Sequence, residues 1–303
     1  MNLTALGLVL AAAVAHAAWN ILAARSSRSG VPFLFWGAIV SAVVWSVAIP
    51  FTGGIGSSGA WEFVLAVVVS GVLHVLYMLV LQRGYRAGDL STVYATARGS
   101  GPVLTVIVSI LLFGERPGLL ALGGVLLVVV GVTAFGLIGR TRPAAGAEFA
   151  GAARRARFDP SVVFGLLTGV AIATYTLWDV SMVNGFGIAP VAFMVGTSAA
   201  EAVIFGGMLG AEGARGKRPA RRLRGELRAN WRSLLAFGVL SPLSYVLVLT
   251  AATLAPLSLV APMRETSVVL VGLYGVIRYR ESNPVLRLTA AVVVVCGVAL
   301  IGL

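Results

Sequence analysis

Long apolar runs alternate with short polar breaks along the whole chain. The first set occupies 2–22, 31–51, 62–82, 91–113 and 117–138, and the second 161–182, 189–210, 233–252, 256–277 and 284–303. Each run is about the 20 residues that an α-helix needs to cross a bilayer. The pattern predicts an all-α polytopic membrane protein of ten transmembrane helices. Five spans is an odd number, so two five-helix halves in series cross the membrane in opposite senses. The expected organisation is two inverted repeats, 1–138 and 161–303, joined by a basic connector at 139–160.

Polar positions inside the runs show that the halves are copies. Arg98 precedes Glu115 by 17 residues, and Arg264 precedes Glu281 by 17. The common offset of 166 also carries Gly131 onto Gly297, Val132 onto Val298 and Gly136 onto Gly302. Near the ends of the first span of each half, His16-Ala-Ala-Trp19-Asn20 lines up with Tyr175-Thr-Leu-Trp178-Asp179. That second match bears on the N-terminus, where Ala15-His16-Ala17 has the form of a signal-peptide cleavage site. No basic segment precedes it and its end recurs in the second half, so run 1 is read as a mature helix.

The breaks carry the charge. Twenty basic residues fall on the side reached after span 1: Arg25 and Arg28, Arg83 and Arg86, five in the 139–160 connector, eight in 211–232, and Arg278, Arg280 and Arg287. The other side has only Arg116. By the positive-inside rule the basic loops face the cytoplasm and both termini face out. In 211–232 the arginines interleave with Leu223, Leu227 and Trp231, which fits either an interfacial helix on anionic lipid or a solvated loop.

Composition agrees with the pattern. Of 303 residues, 58% are hydrophobic and 11% charged, against about 25% charged in soluble domains. A net charge of +12 would point to nucleic acid in a soluble chain. Here it sets topology and meets anionic headgroups, so the expected partners are the lipid bilayer and a small-molecule substrate, with no nucleic acid. The expected location is the plasma membrane. Cys296 stands alone and is read as a small packing residue. The chain lacks GxSxG, HExxH, Walker-type and dinucleotide-binding motifs. No enzyme activity, cofactor or metal is expected.

Two arginines lie within apolar runs, where an unpaired charge costs about 2.5–3.5 kcal/mol on insertion scales. Arg98 and Arg264 are each about the eighth residue of a span, roughly 10–12 Å along it. Entering from opposite faces, they can meet in one central cavity. A guanidinium pair there suits a carboxylate or phosphate group of a substrate. The alternative is structural pairing, such as Arg264 with Glu201 or Arg98 with Asp179. Asp179, Glu201 and Glu265 are the acidic residues within spans, candidates for proton coupling or for those same ion pairs. Tyr94 lies one helical turn before Arg98 on the same face. Tyr94, Trp19, Asn20, Tyr175 and Trp178 are candidate walls of an organic-substrate pocket, although Trp and Tyr near span ends also serve as interfacial anchors. His16 and His74 read more readily as satisfied structural histidines. Pro102, Pro256 and Pro262 mark bends in spans 4 and 9. Glu115 and Glu281 read as caps or gate residues. The GxxxG spacings Gly165–Gly169 and Gly206–Gly210 are cues for helix packing or a homodimer.

Several of these strings resemble the EamA family of the drug/metabolite transporter superfamily. They are His16-Ala-Ala-Trp19-Asn20, Tyr85-Arg-Ala-Gly-Asp-Leu-Ser91, Val93-Tyr94-Ala-Thr-Ala-Arg98-Gly-Ser-Gly-Pro102 and Leu112-Phe-Gly-Glu115-Arg116. The resemblance covers essentially the whole chain. It implies a ten-helix, two-repeat secondary transporter that moves small metabolites by alternating access. The chain departs from the family pattern at Arg280, where the first half has Gly114, and many relatives keep their termini inside. A membrane-embedded enzyme or flippase for an anionic lipid-linked carrier is the alternative reading.

Overall fold

The computed structural model describes residues 1–23, 30–88, 90–138, 159–216, 218–279 and 284–303. Arg25, Arg28, Asp89, the arginines of the 139–158 connector, Lys217, Arg280 and Glu281 lie outside the described residues. The described chain is helical throughout: α1 (Leu3–Ala23), α2 (Val31–Ser46), α3 (Ala60–Ala87), α4 (Leu90–Leu112) and α5 (Leu119–Ile138) form the first half. The second half comprises α6 (Pro160–Phe186), α7 (Pro190–Ala214), α8 (Pro219–Ala252), α9 (Leu257–Arg264), α10 (Thr266–Tyr279) and α11 (Pro284–Gly302). Among the described residues nine spans are long and apolar enough to cross a membrane, with α9 and α10 together making one of them. The remaining run is the 16-residue α2, extended by a 3₁₀ turn at Ile49–Phe51.

Local chemistry sets the ends. Asp159 caps α6 by accepting from the Ser161 N–H at 2.9 Å, with Pro160 in the first turn. Gly187, at φ 63°, ends α6 in the left-handed conformation that favours glycine. Two regions depart from a straight span. The ninth run is not one continuous helix, because it turns at Glu265 between α9 and α10. Pro262 has no N–H to give the Ser258 carbonyl, and the chain tightens into i→i−3 bonds, Glu265 N to Pro262 O at 3.0 Å and Val268 N to Glu265 O at 2.9 Å. Of the two readings open for the basic 211–232 segment, helix or loop, the structure shows helix over most of it. From Pro219 it is helix, kinked at Asn230 (φ −123°, ψ 17°) and continuous with the span. Trp36 Nε1 donates to the Leu223 carbonyl at 3.0 Å and holds this segment against α2.

The packing of the two halves is reciprocal. α4 against α6 is matched by α1 against α9 and α10, α3 against α6 by α1 against α8, and α3 against α7 by α2 against α8. Three seams, α5 with α11, α2 with α7 and α4 with α9, map onto themselves. That is what two inverted copies give when a two-fold relation exchanges them. The α5–α11 seam is glycine-lined. A Cβ on Gly124 would stand 2.6 Å from the Gly297 carbonyl oxygen, and one on Gly297 2.6 Å from that of Gly124. Gly165 and Gly169 pack α6 onto Thr96 and Ser100 of α4 within the chain, so that GxxxG cue is a helix-packing one. Large apolar side chains such as Val43, Leu111, Leu126 and Val203 stand exposed around the bundle, a surface suited to lipid tails and not to water.

Candidate functional site

The α4–α9 seam crosses the middle of the bundle and gathers the buried charge. Arg98 is 7% exposed and Glu265 3%. Arg98 Nη1 donates to both Glu265 oxygens, at 3.2 and 3.3 Å, and Nη2 donates to His16 Nε2 at 3.0 Å. A guanidinium has no acceptor, so His16 accepts there and its ring is neutral, with its proton on Nδ1. The Tyr94 ring lies 5.4 Å from the Arg98 guanidinium. Pro102, one turn on, cannot donate to the Arg98 carbonyl, which leaves backbone polarity free beside the ion pair.

Arg264 is adjacent to Glu265 but points elsewhere. Its guanidinium lies 5.3 Å from the Tyr245 ring centroid. Among the described residues no carboxylate stands within ion-pair distance of it. It lines a small cavity with Pro102, Thr105, Ile172, Thr176 and Glu265, which has room for about one water molecule. Thr176 Oγ1 is buried there without a hydrogen-bond partner among the described residues.

A second polar cluster lies between α3, α6, α7 and α8. His74 Nδ1 is 3.1 Å from Glu201 Oε1, and His74 Nε2 is 3.2 Å from Asp179 Oδ2. Tyr245 donates to the same Asp179 oxygen at 2.6 Å. The Tyr175 ring packs edge-on against His74 at 4.3 Å and also meets Tyr77 and Tyr245. Asp179 is fully buried. Because both carboxylates address the imidazole, the three side chains share no common point for a metal. No group of three or more His, Cys, Asp or Glu among the described residues has an arrangement to hold one.

The structure thus sorts the sequence candidates. Arg98, Tyr94, Glu265 and Arg264 come together on the α4–α9 seam, and Asp179, Glu201 and Tyr175 gather around His74. The expected pairs Arg264–Glu201 and Arg98–Asp179 are not formed; Glu265 and His74 take those partners because the turn after Arg264 swings Glu265 toward α4. Trp19 packs against His16 and Phe237 at the edge of the site. Trp178 Nε1 donates to the Ala66 carbonyl at 3.1 Å and locks α6 to α3. Asn20 donates to the His16 carbonyl within its own helix. The sequence favoured structural roles for His16 and His74 and carried no signal at Tyr77 and Tyr245. The available signal was an ionisable residue within an apolar run, which both histidines carry.

At the face that carries the 113–118 loop, Glu115 reaches across the halves. The N–H groups of Leu257 and Ser258 donate to its two oxygens at 2.7 and 2.8 Å. The carboxylate caps α9 and complements the positive end of its dipole.

The model of the EamA-like transporter family matches this chain twice, at residues 3–137 and 159–303. The chain belongs to that family. This EamA-like protein is therefore a multi-pass membrane transporter of small molecules and not an enzyme. Over 95 residues it is 39% identical to multidrug resistance protein EbrB of Bacillus subtilis (strain 168), covering 31% of this chain and 76% of that one. EbrB of Bacillus atrophaeus is 38% identical over the same shares. A solved crystal structure aligns over 99% of this EamA-like chain and 96% of its own, with TM-score 0.67 and 19% identity. That likeness speaks to the fold alone.

Proposed function

We propose that this EamA-like transporter is a secondary active carrier for a small organic solute with a carboxylate or other anionic group. The solute docks on Arg264, and the two inverted halves expose it alternately to either side. The driving force is a proton gradient or exchange. The observation that carries this reading is the contrast between the two core arginines. Arg98 is neutralised by Glu265, whereas Arg264 lines the cavity with the Tyr245 ring 5.3 Å away and, among the described residues, no carboxylate at ion-pair distance. Arg264 is half-buried, and a guanidinium held there without an anion presents its fork to a bidentate acid group. Thr176 and Thr105 place hydroxyl groups beside it, and the Tyr94, Tyr175 and Trp19 rings supply the apolar surround of an organic body. Asp179, Glu201 and Glu265 are the carboxylates available for proton coupling.

The test is a thermal-shift screen of detergent-purified protein against carboxylates, phosphates, amines and neutral solutes. An anionic ligand at a hundred times its Kd is expected to stabilise the wild type by about 2.7 kcal/mol, and Arg264→Gln to lose that effect. A ligand effect that survives Arg264→Gln, or stabilisation by amines alone, would move the site off this arginine.

A further inference from the structure

The polar cluster around His74 borders the solute site, and Tyr245 touches both. We infer that His74 carries the coupling proton, held as an imidazolium between Asp179 and Glu201 and tied to the solute site through Tyr245. The inference rests on the reading of Arg264 as the solute's docking point.

The argument begins with donors and acceptors. His74 Nδ1 is hydrogen-bonded to Glu201 at 3.1 Å, and Nε2 lies 3.2 Å from Asp179 Oδ2 at ion-pair distance without the alignment of a hydrogen bond. Two carboxylates this close to one buried ring, one at each nitrogen, favour the imidazolium by charge. His16 provides the internal contrast, because its Nε2 accepts from Arg98. The groups that face His74 are Asp179 and Tyr175 from α6, Glu201 from α7, Tyr245 from α8 and Tyr77 from its own helix, one turn on. Arg98 of α4 and Arg264 of α9 stand beyond this tyrosine layer. With His74 protonated, the three cations His74, Arg98 and Arg264 balance the three anions Asp179, Glu201 and Glu265. Loss of the proton leaves the core one negative charge in excess, and an arriving anion then makes two. An anionic solute therefore binds more favourably when His74 is protonated, and the proton binds more favourably once the anion has neutralised Arg264.

Tyr245 is the physical link. Its hydroxyl donates to Asp179 at 2.6 Å and its ring faces Arg264 at 5.3 Å. A change of charge at either end alters the field at this one side chain. In the cycle, His74 Nε2–H gives its proton to water on one face, and Nδ1–H keeps its bond to Glu201, leaving a neutral imidazole. The same nitrogen takes a proton from water on the opposite face. Proton and anion travel in the same direction.

The chain has only two histidines, so ¹⁵N-histidine labelling of the full-length protein in lipid nanodiscs reads both directly. At neutral pH one imidazolium and one neutral ring are expected, with the imidazolium signal absent from His74→Gln. Two neutral rings would overturn the inference, and this measurement on the wild type decides even where His74→Gln does not fold. The second readout is a pH step applied to proteoliposomes on a solid-supported membrane, with no solute present. A transient charge displacement is expected in the wild type and not in His74→Gln. No transient in the wild type, or an undiminished one in the variant, would show a fixed structural cation. Neither readout contains solute, so failure here is distinct from failure of the Arg264 reading, which the ligand screen detects.

Discussion

Glu265→Gln isolates the role of the central ion pair. The substitution keeps the size of the side chain and one acceptor oxygen, but removes the charge that faces Arg98 at 3.2 Å. Both partners are buried, at 7% and 3% exposure, so water cannot replace the lost anion. His16 is no substitute, because it accepts only one of the guanidinium's hydrogen bonds. Removing one member of a buried pair costs about 3–5 kcal/mol, and the retained acceptor places the expected loss near the lower end. At about 2 °C per kcal/mol for a chain of this size, the melting temperature in detergent should fall by about 6 °C. The same physics makes an opposite prediction for the pair: Arg98→Met with Glu265→Leu removes both charges and should melt close to the wild type. A full thermodynamic cycle measures the coupling. If Glu265→Gln melts within about 2 °C of the wild type, or if the double variant loses as much as the two single changes together, the two charges do not hold the seam.

Two further outcomes test other parts of the structure. Glu115→Ala removes the acceptor for the first two N–H groups of α9, a cap worth about 1–2 kcal/mol. Hydrogen exchange at Leu257 and Ser258 should therefore accelerate about tenfold, with little change in α5; unchanged exchange would remove the cap from the account. In a Cys296→Ser background, a membrane-impermeant maleimide added to intact cells should label Gly185→Cys, an exposed position with open space for a side chain, and leave Arg228→Cys untouched, as the loop charges require. The reverse pattern would place the termini inside.

The spans were legible because hydropathy is a local property, and each run needed only its own residues to be recognised. Arg98, Arg264, Asp179, Glu201 and Glu265 were legible for the same reason: each is a charge where the bilayer leaves little tolerance for one. Their partners were not. His74 meets Glu201 across 127 positions, and Arg98 meets Glu265 across 167. Such pairings depend on which helix faces pack together, and the spans' apolar residues run nearly all round and do not encode a facing side. The turn at Glu265 illustrates the same limit. Pro262 announced a bend, but the sequence did not show that the bend falls after Arg264 and separates it from its neighbour. Tyr245 carried no mark at all, since a tyrosine in an apolar run is ordinary until its hydroxyl is seen against Asp179. The 211–232 segment stayed open between helix and loop because its arginines blur the apolar spacing, and its helix meets the span across the kink at Asn230.

The short helix α9 is fixed at both ends by residues of the opposite half. It has eight residues, about 12 Å of rise. Glu115 grips its first N–H groups, and Arg98 holds the residue just beyond its last turn. Mechanically it is a strut with a pin at each end, and a pinned strut cannot swing while both pins are in place. Of the two, the inner pin is sealed in the core and the outer one is at the rim, where Glu115 is only part-buried. Water, salt and acid reach the rim first. Displacement of α9 from α4 thus starts as rotation about the Arg98–Glu265 contact, a motion that carries Arg264 with it because that residue sits next to the pivot.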